Sequence, residues 1–270
     1  MGIDEAGRGP VLGPMVYGCA YCPMSLREAL SQRSFADSKT LTEDKRDTLF
    51  AEIKADPMMG FAVDCLSAKT ISAQMLHSER GNLNTIANES TYRLIEQTLA
   101  LGVNLQEVYV DTVGDPDRWQ DRLSQRYTGI KFTVCPKADS LYPIVSAASI
   151  AAKVTRDTIL RDFPVEEAIT VGRDFGSGYP GDPITKAWLV AHLDRVFGFP
   201  SLVRFSWTTC SRLLDECAIP VKWECDQVES QQQTLTFGGL AAAVSDTASC
   251  ATKRHSYFRA RRLQRVATAF

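Results

Sequence analysis

Asp4-Glu5-Ala6-Gly7-Arg8-Gly9-Pro10 packs two carboxylates, a guanidinium and two glycines into about 25 Å of fully extended chain. Carboxylate oxygens suit hard divalent cations such as Mg²⁺ or Mn²⁺, Arg forks onto phosphate or hydroxyl oxygens, and glycine lets bare backbone approach a ligand closely. The chemistry such a set supports is metal-assisted work on a phosphate, provided that further acids arrive from elsewhere in the chain. Asp111 and Asp139 are the candidates, since each stands at or just beyond the end of a β-rich run. If those strands are neighbours, Asp4, Glu5, Asp111 and Asp139 converge on one edge of a sheet. Carboxylates so crowded repel one another, and a divalent cation is the natural compensation. Taken singly, each is an ordinary turn or helix-cap residue.

The elements that must position these acids follow from pattern. Residues 1–4 and 15–22 read as strands joined by a Gly/Pro bend, a short connection that favours antiparallel neighbours. Thr42 caps a helix running to residue 55, and residues 61–66 form a strand. Apolar spacing from 83 to 101 predicts a long helix, ended by Gly102 in a left-handed cap. Residues 108–110 form a short strand ending at Asp111, and Asp115-Pro116 opens the helix after it. The unit repeats with a strand over 130–135, a loop carrying Asp139, and a helix over 143–161 whose centre is rich in alanine. Asp182-Pro183 opens one more helix, to residue 195. Strands alternating with helices after an antiparallel start predict an α/β fold, a mixed sheet flanked by helices.

Composition narrows the function classes. The chain has 270 residues, 44% hydrophobic and 23% charged, which suits a folded protein with a sizeable core. Its formal charge of −2 excludes a globally basic nucleic-acid binder, so any polyanion must be held by a local patch. No stretch approaches the roughly 18 apolar residues of a membrane span, and the start lacks a basic segment followed by an apolar run, so an intracellular chain with no membrane partner is expected. The eight cysteines then read as thiols. Cys19-x-x-Cys22 lies in a β-rich run and has no second pair, which argues against a zinc site. Gly7-x-Gly9-x-x-x-Gly13 resembles a dinucleotide fingerprint, but Pro10, Pro14 and a β-rich run follow where that motif needs a helix. His77 and His192 have no ligand-spaced partner and read as surface histidines. From about residue 221 the chain turns polar and low in complexity, closing on the basic Lys253-Arg254-His255-Ser256-Tyr257-Phe258-Arg259.

A family resemblance runs through several segments in order. Asp4 to Pro14, Ala36-Asp37-Ser38-Lys39, Val110-Asp111-Thr112-Val113-Gly114 and Lys137-Ala138-Asp139-Ser140-Leu141-Tyr142-Pro143 resemble type 2 ribonuclease H. So do Ala147 to Asp157 and Asp174-Phe175-Gly176-Ser177-Gly178-Tyr179-Pro180. Phe197-Gly198-Phe199-Pro200, Val203-Arg204-Phe205-Ser206-Trp207 and the extended tail look like the catalytic A subunits of the eukaryotic enzymes.

The resemblance implies a ribonuclease H-like fold with a small C-terminal helical subdomain in residues 1–220, followed by a tail over 221–270 suited to partner docking. It implies that Asp4, Glu5, Asp111 and Asp139 hold two Mg²⁺ ions, with Mn²⁺ as the alternative metal, for phosphodiester hydrolysis giving 5′-phosphate and 3′-hydroxyl ends. Gly7, Arg8 and Gly9 are the segment that meets the 2′-hydroxyl and adjacent phosphates, and Tyr179 the ring that stacks on the neighbouring sugar. Lys39, Lys153 and Arg156 are implied to hold phosphates. The implied substrates are RNA/DNA hybrids and duplex DNA carrying single ribonucleotides. Two noncatalytic subunits completing a heterotrimer, and residence in the nucleus, are implied with them. Only Met1, Gly2 and Ile3 precede Asp4, fewer residues than the family carries there. The chain is thus expected to be a fragment, or to begin at a different methionine with a short first strand. The alternative to an active enzyme is a catalytically weak or inactive nucleic-acid-binding subunit, for want of that segment or of partners.

Overall fold

The computed structural model describes residues 1–32, 41–77, 81–163 and 171–220. In chain order the elements are β1 (Gly2–Ala6), β2 (Met15–Tyr21), a 3-10 turn (Met24–Leu26), α1 (Arg27–Gln32), α2 (Glu43–Ala55), β3 (Gly60–Leu66) and α3 (Ala68–Leu76). They continue with α4 (Leu83–Ala100), β4 (Glu107–Asp111), α5 (Pro116–Arg126), β5 (Lys131–Cys135), α6 (Ala138–Leu141), α7 (Pro143–Arg161), α8 (Pro183–Ala191) and α9 (Thr208–Cys217). The strands form one mixed sheet of order β3-β2-β1-β4-β5. β1 pairs antiparallel with β2, and β2 with β3, whereas β4 lies parallel to β1 and β5 parallel to β4. The expected mixed sheet flanked by helices is the fold observed.

Strand alternation decides which side chains go where. Ile3, Tyr17, Cys19, Val108 and Val110 point to the face covered by Leu94 and Ile95 of α4 and by Trp119 and Leu123 of α5. On the other face α7 lies close against β1 and β2. Gly18 makes that approach possible, because a Cβ there would stand 2.6 Å from the carbonyl oxygen of Ala148. The alanines at 147, 148, 151 and 152 are fully buried in that layer, as their small side chains permit. A third cluster, including Leu12, Trp188, Leu189, Phe199 and Val203, packs α8 and α9 beside the sheet. An isolated antiparallel bridge between Leu12 and Val203 ties it to the turn that follows β1.

Capping explains the helix starts. Thr42, Asn82 and Asp115 accept hydrogen bonds from Lys45 N, Thr85 N and Arg118 N, and Gly102 takes the left-handed conformation past α4 with φ of 80°. Two sequence expectations need correction. Asp139 sits in the short helix α6 rather than a loop, because Lys137 adopts a left-handed conformation (φ 57°) that starts a helical turn at Ala138. α8 stops at Ala191 rather than 195, because the Asp194 carboxylate accepts from Val196 N and Phe197 N at 2.7 and 2.8 Å and turns the chain back through Gly198. The helices α1, α3 and α9 lie outside the elements expected from sequence.

Candidate active site

Register places the first acids. Ile3 pairs with Val110 across parallel strands, so Asp4 and Asp111 are the next residues at the same end of adjacent strands. Alternation then sends Asp4 toward α7 and Glu5 toward the α4 side. Asp4 is 5% exposed, accepts from Glu5 N at 2.7 Å, and is bonded to the Ser149 hydroxyl of α7. Burial, with the charges of Glu5 and Asp111 beside it, pushes its carboxyl well above the ordinary carboxylate range. Asp111 Oδ1 accepts from Ala138 N at 3.0 Å, which brings the buried Asp139, the next residue, to the same strand end.

As these side chains stand, no group of three His, Cys, Asp or Glu residues among the described residues is arranged to hold an ion. Asp4 accepts from Glu5 N and is bonded to the Ser149 hydroxyl, and Asp111 accepts from Ala138 N, so donors of the fold hold both carboxylates at the strand ends. The donor set itself fits a hard divalent ion. It is all oxygen, it is drawn from two adjacent strand ends and α6, and it holds a buried carboxyl whose ionisation a cation would restore.

The glycine segment after β1 is held by groups far away in sequence. Arg204, 0% exposed, donates from Nη2 to Gly7 O at 2.6 Å, from Nη1 to Arg8 O at 3.1 Å and from Nε to Gly13 O at 2.9 Å. Its guanidinium lies 4.8 Å over the Trp207 ring, and Trp207 Nε1 donates to Gly9 O at 3.2 Å. Burial pulls the Arg204 pKa down to about 9, and three carbonyl dipoles and an aromatic face replace the water it has lost. Gly7 takes φ of 79°, and a Cβ there would stand 2.6 Å from Pro14 O. Sequence reasoning missed Arg204. Its signals were a charge set between the apolar Val203 and Phe205 and its place in a segment that carries the family resemblance.

Arg8 is half-buried beside Tyr17 and donates to Asn84 Oδ1 at the start of α4. Tyr179 is 51% exposed, with its ring edge 3.1 Å from where a Cβ on Gly9 would be. The turn that carries it is fixed twice. Asp182 Oδ2 accepts from both Ser177 N and Ser177 Oγ at 2.6 Å, which pulls its carboxyl pKa down to about 2. Thr185 bridges Gly178 N and Phe175 O, and Gly178 O accepts from Val11 N at 2.8 Å, docking the turn onto the glycine segment.

Arg156 of α7 lies under Gly7 and pairs with Asp157 at 2.9 Å, while its Nε and Nη2 are buried with no hydrogen-bond partner among the described residues. Asp157 also takes Arg46 at 3.3 Å, and Arg46 reaches back to Leu41 O. Lys153 sits half-buried one turn before Arg156 and Asp157. Lys39 lies outside the described residues, as does the basic tail. His192 has a structural place instead of a surface one. It stacks on Trp188 at 4.2 Å and accepts from Gly172 N at 3.1 Å.

Known proteins share this arrangement of sequence and fold. Residues 1–210 match the profile of the family described as Ribonuclease HII. The A subunit of ribonuclease H2 from Arabidopsis thaliana is 57% identical over 230 residues, spanning 85% of this chain and 77% of the relative. Its counterpart from Bos taurus is 47% identical over 267 residues, spanning 98% and 88%. The crystal structure of the ribonuclease H2 from Pyrococcus horikoshii OT3 superposes with a TM-score of 0.66 at 34% identity, covering 80% of this chain and 96% of that one.

Proposed function

The chain belongs to the ribonuclease HII family and is a ribonuclease H, and from that premise we propose that it hydrolyses the RNA strand of RNA/DNA hybrids and incises duplex DNA 5′ of a single embedded ribonucleotide. The observation that carries the finer reading is the pinned glycine segment. Gly7, Arg8 and Gly9 have their carbonyls taken by Arg204 and Trp207 and lie just past Asp4 and Glu5, with Gly9 against the Tyr179 ring. A phosphate says nothing about its sugar, whereas the 2′-hydroxyl does. Gly7 and Gly9 let a sugar approach backbone, Arg8 meets the adjacent phosphate, and Tyr179 lays a flat face on the neighbouring sugar with its phenol at the hydroxyl.

Asp4, Glu5, Asp111 and Asp139 would hold two divalent ions, Mg²⁺ or Mn²⁺. When bound, such ions supply an activated water and a counter-charge for the leaving 3′ oxygen, giving 5′-phosphate and 3′-hydroxyl products. Ser149 and Ala138 N hold the acids in place, and Arg156, Lys153 and Lys39 are assigned to the phosphates. The relatives are each named as one subunit of ribonuclease H2, which supports a chain that works among others. We assign it two noncatalytic partners in a nuclear heterotrimer, docked on the C-terminal segment. Among the described residues no helix is long and apolar enough to cross a membrane.

The test is a substrate panel in Mg²⁺, run with and without those partners. A long hybrid and a duplex with one ribonucleotide are cut to 5′-phosphate ends, an all-DNA duplex is spared, and chelation stops both cleavages. Tyr179→Phe lowers incision at the single ribonucleotide roughly tenfold, the scale of one lost hydrogen bond, and affects the hybrid less. Equal losses on both substrates would remove the phenol from sugar sensing, and comparable cutting of all-DNA duplex would remove the reading itself.

A further inference from the structure

A cleft of about 430 Å³ opens from Glu5 and Asp111 and runs between the first turns of α4 and α5. Its α5 wall is sorted by charge. Arg118, Trp119 and Arg122 line it together with the capping Asp115, whose Oδ1 accepts from Arg118 N, while the two acids inside the same helix, Asp117 and Asp121, do not. That is the outcome of helical spacing, since residues four apart share a face and their sequence neighbours point about a quarter-turn away. Among the described residues neither Arg118 nor Arg122 has a carboxylate within ion-pair distance. Arg126, one turn further, is the contrast. It donates to Glu96 at 2.8 Å, lies 4.3 Å over the Tyr92 ring, and is not part of the cleft. Arg122 is braced at 5.8 Å over the ring of Trp119, itself buried to 8% exposure, so that cation is held over the opening.

An anionic chain whose reacting phosphate lies at the acids must continue somewhere, and this groove is contiguous with them. One turn of α5 separates the two guanidinium stems by about 6 Å along the helix axis, a spacing on the scale of neighbouring phosphates of one strand. The opposite wall is neutral amide from Asn82, Asn84 and Asn88, which accepts a sugar-phosphate chain without repelling it. We propose that Arg118 and Arg122 grip phosphates of the cut strand beyond the reacting one, making the α5 wall a second anchor for the nucleic acid. This inference rests on the nuclease reading above and adds to it a contact that the glycine segment does not make.

Equilibrium binding of a fluorescent duplex carrying one ribonucleotide, measured by anisotropy in metal-free buffer over a salt series, separates the two. The full-length Arg118→Gln/Arg122→Gln chain should bind about tenfold more weakly, and its slope of log K against log salt should be shallower by about two, one unit per lost phosphate contact. Arg118→Lys/Arg122→Lys should recover most of the slope, and Arg126→Gln should bind as the parent does. Parent-like affinity and slope in the double Gln variant would overturn the anchor while leaving the nuclease reading intact. Failure of the parent chain to bind or cut any ribonucleotide-bearing duplex would strike that reading instead.

Discussion

Asp4 is the residue at which function and stability pull in opposite directions. It is buried against Glu5 and Asp111, and its carboxyl is held well above its ordinary value of 3.8. A raised value in the fold means that the native chain binds the proton more tightly than the unfolded one. The stabilising contribution is therefore full below pH 3.8 and is lost as pH rises through the folded value, above which the carboxylate is a buried charge beside Glu5 and Asp111. Asp4→Asn keeps an oxygen for Glu5 N and removes that charge. In chelator it should raise Tm at pH above the folded value, a gain of about 1 kcal/mol reading as roughly 2–4 °C, and should flatten the pH dependence while abolishing cleavage. A lower Tm than the parent would mean that the carboxylate's own hydrogen bonds outweigh the repulsion.

At the scale of elements, the turn after β1 is shaped by a residue 197 positions away, Arg204, which spans three carbonyls that otherwise would be buried and unmet. Arg204→Met preserves bulk and removes the fork. Each orphaned acceptor costs about 1–3 kcal/mol before relaxation, so a net loss of roughly 2–4 kcal/mol is expected in urea unfolding, with cleavage reduced beyond what stability explains. Arg204→Lys reaches fewer carbonyls at once and should fall between the two, and an Arg204→Met chain with parental stability and rate would show that the turn is fixed by the Leu12–Val203 bridge alone. Elements whose signal is local were legible in sequence. The Thr42 and Asp115-Pro116 caps, the Gly102 stop and the antiparallel pairing of β1 with β2 all appear where pattern puts them. The start of α6 was not, because it depends on a left-handed Lys137, a conformation the sequence does not advertise. The end of α8 was not either, because Asp194 competes for backbone donors beyond it.

For the whole molecule, the acids were legible as strand-end residues, whereas their supports were not, since Ser149, Asn84 and Arg204 acquire meaning only when helices pack on the sheet. The candidate ligands come from β1, β4 and α6, so an ion among them would link the centre of the sheet to the base of α7. Such a site binds the folded chain and not the unfolded one, and stabilisation then grows as RT ln(1 + [L]/Kd), about 2.7 kcal/mol at a hundredfold excess over Kd. Added Mg²⁺ should therefore raise Tm by roughly 5–10 °C over a monovalent salt of equal ionic strength. Asp111→Asn and Asp139→Asn should each lose most of that rise, because either change removes a charge from the shared site. Tyr179→Phe should keep it in full, since its ring stands against Gly9 and supplies no carboxylate to the site. A Tm indifferent to Mg²⁺ in the parent chain, or an equal rise in the Asp111→Asn and Asp139→Asn chains, would mean that the four carboxylates do not act as one cation site.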